Sequence, residues 1–206
     1  MIRFAEGLVT PYHAFAILSG TAFVAALLWP GSAPEALTAV VRGPFLPQAV
    51  AFLLGLLALQ IGEGERGYGA YSMGWRAGRL GGLVAFGLAL VLPFLLVHRV
   101  EVGLPGVPFG GILLFLFAYG VFWALAGYGL GAAVHSDGLR FALRYGTFLV
   151  VVVLPGLAGL PVSPVVAVEK LWAGMAAGWW GIAIYGGLDI GVLGAWSWAE
   201  RRSLRR

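Results

Sequence analysis

The sequence predicts an all-α integral membrane protein with six transmembrane helices and both termini in the cytoplasm. Three observations carry that expectation. The 206 residues are 60% hydrophobic and only 11% charged, less than half the roughly 25% charge of a soluble domain. Mean hydropathy is +0.91. Six continuous apolar runs come near or exceed the roughly 20 residues that a spanning helix needs. Continuous runs favour helices over a barrel, whose strands alternate over about ten residues. So few charges cannot cover a soluble fold of this size. That excludes a soluble enzyme, a nucleic-acid-binding domain and a disordered chain. The pI near 9.8 is then a question of how charge is shared between the two faces of a membrane.

The runs follow in order. The first spans residues 11–29. Arg3 precedes it and Gly31-Ser32-Ala33 looks like a cleavage site, but the run is long for the apolar core of a signal peptide, so it reads as a retained helix. The second spans 45–61, the third 80–97 and the fourth 110–134. The fifth covers 141–160, and the last 171–198. Pro93, Pro155 and Pro161 are expected to kink or end helices. The 155–164 stretch reads as a re-entrant or surface segment on the outer leaflet, ahead of the sixth span. The longest connections are 31–44, 62–79 and 161–170, so residues 1–206 form one transmembrane domain. Six crossings put both termini on one side, and the cations choose the side. With the termini go Arg3, Arg66, Arg76, Arg79, Arg140, Arg144, Arg201, Arg202, Arg205 and Arg206, ten of the 13 cations. Arg42, Arg99 and Lys170 make up the other three. Ten against three assigns the termini to the cytoplasm and the chain to a cell inner (plasma) membrane. Trp29, Trp172 and Trp198 fall near span ends, as an interfacial aromatic belt requires.

Residues 62–79 are the most informative connection. Glu63 and Glu65 open it, and Arg76 and Arg79 close it. Tyr68, Tyr71 and Trp75 recur at spacings of three and four, which puts them on one face of a short helix. Such a helix lies along the membrane surface, with rings in the interface and arginines toward phosphates. It serves as an anchor, or as a docking face for a soluble partner. In layout and in this loop the chain resembles the membrane (permease) subunit of type-2 ATP-binding-cassette exporters. Glu63, Glu65 and Gly67 stand where that family has an acidic, glycine-containing start. Arg76 and Gly78-Arg79 stand at its basic exit. Further likenesses are the polar turn His135-Ser136-Asp137, a fifth span broken near Pro155-Gly156, and the basic tail Arg201 to Arg206. Departures are Gly67-Tyr68 where Gly-Thr is usual, Arg79 where lysine is usual, and the lack of a late proline in the loop. The resemblance implies that Tyr68, Tyr71, Trp75 and their charged neighbours couple the chain to a separate cytoplasmic ATPase subunit. It also implies a second permease subunit, identical or homologous. ATP and Mg would sit on the ATPase, and this chain would hold no cofactor. The alternative is a non-transporting subunit that anchors or assembles a larger membrane complex.

Asp189 is the one acid well inside an expected span. A charged acid there costs about 3 kcal/mol on insertion scales, so it is expected to be paired, protonated or facing water. One reading makes it a pathway or gating residue. The other gives it a hydrogen bond to a neighbouring helix, with Gly186, Gly187 and Gly191 allowing close approach. The small-residue spacings Gly78/Gly82, Gly127/Gly131 and Gly174/Gly178 are likewise expected at helix contacts. His13, His98 and His135 are too spread along the topology to share one metal or haem. The chain contains no Gly-Lys-Ser/Thr phosphate loop, no His-Glu-x-x-His and no Gly-x-Ser-x-Gly, so neither an ATPase site nor a hydrolase site is expected here.

Overall fold

A computed structural model of the chain describes residues 2–29, 34–65, 72–134 and 136–203. These are almost entirely helical and contain no strand. The helices are α1 (Ile2–Leu27), α2 (Glu35–Arg42), α3 (Phe45–Gly64), α4 (Met73–Val102), α5 (Gly106–Ala133), α6 (Asp137–Leu157), α7 (Pro164–Trp172) and α8 (Trp179–Ser203). Six of them are long and apolar enough to cross a membrane: α1, α3, α4, α5, α6 and α8. The short α2 carries Glu35 in its first turn and Arg42 in its last, the charge order that suits a helix dipole.

Burial sorts the spans into centre and periphery. Within their apolar windows 61% of α3 and of α5 is buried, against 28% or less for the other four and 11% for α6. Helices hydrophobic all round belong in the middle, and α3 and α5 fit that rule. Their contact is built on glycine. A Cβ added at Gly62 of α3 would strike the Ala124 carbonyl oxygen and sit 2.7 Å from the Tyr128 amide of α5. A Cβ at Gly127 of α5 would strike the Leu59 carbonyl oxygen of α3. Gly55 fits against Phe148 and Tyr119, and Gly120 against Val84 and Leu54. Lipid gives no hydrophobic drive for helices to associate, so close backbone packing of this kind holds a bundle together. One core joins side chains from α1 through α8, including Tyr12, Phe15, Leu54, Val84, Trp123, Phe148, Ala167 and Tyr185.

The start of α1 and the end of α8 share a face. The Tyr12 hydroxyl of α1 donates to the Leu83 carbonyl at 2.8 Å, and Phe23 stacks on Phe94 at 5.3 Å. Thus α1 and α4 run parallel, with their first residues together. At the other end of the chain Trp196 of α8 packs on Tyr128 of α5 at 5.2 Å, and Arg76, near the start of α4, donates to the Tyr128 hydroxyl at 2.8 Å. The opposite face carries His98, whose Nε2 pairs with the Gly43 carbonyl at 3.0 Å and whose ring lies 5.6 Å from that of Trp172.

Several expectations are corrected. The connection 31–44 contains α2, and 161–170 contains most of α7. Neither Pro93 nor Pro155 ends its helix, since both helices continue past them. The break after the fifth span falls instead at Gly159, with φ 66. The sixth span does not begin at Leu171. That residue belongs to α7, which packs Pro164, Val166, Ala167, Val168 and Leu171 inward and ends before Gly174 at φ 68. Left-handed backbone favours glycine, and it turns the chain into a short 3-10 turn, Ala176–Gly178, ahead of α8. The chain between α6 and the start of α7 is pinned by Ser163 Oγ donating to Val152 O at 3.0 Å, Tyr185 OH to Val162 O at 2.7 Å and Gln48 Nε2 to Val165 O at 3.0 Å. Of the small-residue spacings, Gly127 and Gly178 make close contacts, whereas Gly78, Gly82 and Gly174 meet nothing within 4 Å.

Candidate functional site

At about 1.5 Å per residue the 30 residues of α4 measure about 45 Å, well beyond a hydrocarbon core of about 30 Å. A helix of that length exceeds the core, and its charged residues sit at its two ends, Arg76 and Arg79 in the first turns and Arg99 and Glu101 in the last. Trp75, Arg76 and Arg79 ride on the first turns, so in the described residues they extend a span and do not form a separate surface helix. Helix α3 likewise continues to Gly64, so the true connection is shorter than 62–79. The reason is that arginine and tryptophan at a helix end can reach the interface without ending the helix.

The loop's two acids are committed to neighbouring helices. Arg79 Nε donates to Glu65 Oε1 at 2.8 Å, joining the end of α3 to the start of α4. Glu65 is only 2% exposed, and its Oε2 has no hydrogen-bond partner among the described residues. Glu63 is forked. Arg140 Nη1 donates to its Oε1 at 3.1 Å, and Arg144 pairs with its Oε2. Arg140 also donates through Nε to the Val134 carbonyl at 3.1 Å, satisfying an oxygen just past the end of α5. Arg76 binds the Tyr128 hydroxyl, and the Arg79 guanidinium lies 5.4 Å from the centroid of the Trp75 ring. Glu63 and its two arginines are each no more than 21% exposed, so solvent screens these pairs less than it does pairs on an open surface.

The lattice links α3, α4, α5 and α6 on one face. Helix α6 gains most from it. Phe141, Leu143, Leu149, Val150, Val153 and Leu154 all lie exposed along it, so few side chains besides Phe148 and Val152 hold it to the bundle.

Of the eight loop residues expected to couple to a partner, Glu63, Glu65, Arg76 and Arg79 are thus engaged within the chain. Trp75 remains 45% exposed. Gly67, Tyr68 and Tyr71 lie outside the described residues, as does His135. In the sequence Arg140 and Arg144 bear only on topology. Their spacing of four, which puts both on one helix face, was the available sign of a shared acid. Tyr128 gave no comparable sign.

Asp189 lies ten residues into α8 and is 8% exposed. Its Oδ1 has no hydrogen-bond partner among the described residues. The expected close approach at its glycines is absent: Gly186, Gly187 and Gly191 have nothing within 4 Å of an added Cβ. No group of three metal-ligating side chains occurs among the described residues, and His98, on the face opposite the termini, is far from His13.

Compared with known proteins, the chain matches no family model, no curated protein and no solved structure. Fold and site define a multi-pass α-helical membrane protein whose terminus-bearing face carries an electrostatic lattice.

Proposed function

We propose that the chain is the transmembrane permease subunit of an ATP-driven exporter, coupled through its 62–79 loop to a separate cytoplasmic ATPase and paired with a second permease. The termini, on this reading, face the cytoplasm. The observation that carries it is the forked pairing of Glu63 with Arg140 and Arg144. A partner pressing on residues 66–71 would push on chain tied at Glu63 and Glu65 to α6 and α4. Force at the loop then reaches two membrane helices through ion pairs, not through a slack linker. Trp75, exposed on the first turn of α4, offers an aromatic anchor of the kind that dominates docking surfaces. The chain itself supplies no ATP chemistry. Its contribution is two packings of similar energy, between which a partner chooses.

The test is affinity purification of the full chain from its native membrane, with any co-eluting cytoplasmic ATPase identified. A 1:1 complex is expected, and Tyr71→Ala with Trp75→Ala should weaken it at least tenfold. A complex indifferent to those changes removes the docking role. Capture of redox or assembly subunits in place of an ATPase makes the chain an anchor.

A further inference from the structure

Asp189 is a buried acid that the coupling lattice does not use. It lies ten residues after Trp179, about 15 Å along the axis and hence about halfway through a core of about 30 Å. Tyr185, Asp189 and Trp196 are four and seven apart, which puts them on one helix face. That face is turned to α5. Tyr185 packs on Tyr119 at 5.1 Å and on Phe122 at 5.3 Å, and Trp196 packs on Tyr128. Asp189 is therefore closed between two aromatic contacts, one on each side along the helix.

Among the described residues no positive charge is placed near it. Helix α5 contains no Lys, Arg or His, and the first cation on α8 is Arg201, twelve residues on. On α4 the charged groups are Arg76 and Arg79 at one end and His98, Arg99 and Glu101 at the other, with none between. On α7, Glu169 is exposed and the Lys170 ammonium donates to the Gly159 carbonyl. The titratable groups of α5 are the hydroxyls of Tyr119 and Tyr128. That of Tyr119 is buried and finds no partner among the described residues.

An unpaired carboxylate in such a place, 8% exposed and with Oδ1 enclosed, loses most of its hydration and gains nothing in return. A carboxylic acid is neutral and is a donor as well as an acceptor. We propose that Asp189 is a proton-binding site at the middle of the membrane, and that the α5–α8 packing seen here is the proton-loaded state. No metal ion replaces the proton in this packing, because Oδ1 is enclosed and no group of three metal-ligating side chains occurs among the described residues. Release of the proton requires α8 to part from α5. Gly187 and Gly191, on the other side of α8 and with no neighbour within 4 Å of an added Cβ, put no contact in the way of that movement. The site is independent of ATPase docking, and its failure would leave the coupling reading untouched.

The test is infrared spectroscopy of the full chain in lipid nanodiscs near neutral pH. The protonated-carboxyl carbonyl stretch is expected in the unaltered protein and should be lost completely in Asp189→Asn. Asp189→Glu, which keeps the acid, should retain a band at shifted frequency, and this covers the case in which the asparagine variant does not fold. Sodium and potassium should leave the band unchanged. A spectrum that Asp189→Asn does not alter, or a band that either alkali ion abolishes, overturns the proposal.

Discussion

Replacing Gly62 by alanine tests the packing on which the bundle rests. The added methyl would meet main-chain atoms: the Ala124 carbonyl oxygen, and the Tyr128 nitrogen at 2.7 Å. Backbone cannot rotate aside as a side chain can, so α3 and α5 must separate along their shared length. Overpacking costs about 1–3 kcal/mol, and a main-chain obstacle belongs at the upper end. Alanine regains up to about 1 kcal/mol of helix propensity over glycine. A net loss of about 1–2 kcal/mol remains, a factor of about 5–30 in the folding equilibrium. Gly82→Ala is the control, since a Cβ there meets nothing within 4 Å. It should be neutral or slightly stabilising. The assay is reversible unfolding in mixed micelles by titration with dodecyl sulfate, followed by tryptophan fluorescence. Gly62→Ala should unfold at a clearly lower detergent fraction than Gly82→Ala. Equal midpoints would refute the argument that glycine sets the α3–α5 distance. Gly127→Ala, which collides with the facing Leu59 backbone, should be non-additive with Gly62→Ala, because one separation relieves both collisions.

Glu63→Gln should loosen α6 selectively, raising amide exchange in residues 137–147 several-fold more than in α3, as mass spectrometry of exchanged peptides would show. Reversing the charges, with Glu63→Arg combined with Arg140→Glu and Arg144→Glu, should restore much of the protection. If Glu63→Gln leaves α6 exchange unchanged, the fork does not hold that helix. Gly174→Ala forces a side chain onto left-handed backbone at φ 68. It should cost about 1–2 kcal/mol, read as a lower midpoint in the same detergent titration, and a neutral result would mean that the turn before α8 relaxes.

Much of the fold was legible from composition and charge. Six helices long and apolar enough to cross a membrane, and the gathering of Arg76, Arg79, Arg140 and Arg144 at one end of the bundle, follow from the cost of burying charge in lipid. That cost depends on residue type alone. The candidate site was legible in part. Glu63, Glu65, Arg76 and Arg79 stood out as a charged loop, but a loop does not announce which helices its acids will bridge. Arg140 and Arg144 lie some 77 residues or more from Glu63 in sequence, and only the packing of α6 beside α3 brings them together.

Close contact was the least legible feature. Glycine at helical spacing predicted contacts at Gly78 and Gly82, where the structure shows open space. It overlooked Gly62, which lies against α5. A glycine spacing is the same on a face turned to lipid as on one turned to protein, so only the rotation of each helix about its axis decides which is which. The same holds for Asp189. Its cost in the membrane was plain from its place in an apolar run, but its lack of any partner depends on what α5 presents to it. The sequence by itself determined how many helices are long and apolar enough to cross a membrane, because transfer of each residue into lipid is a local quantity. The tertiary structure alone decided which glycines touch, which ions pair and which acid is left unpaired, because those depend on the relative rotation and depth of helices far apart in the chain.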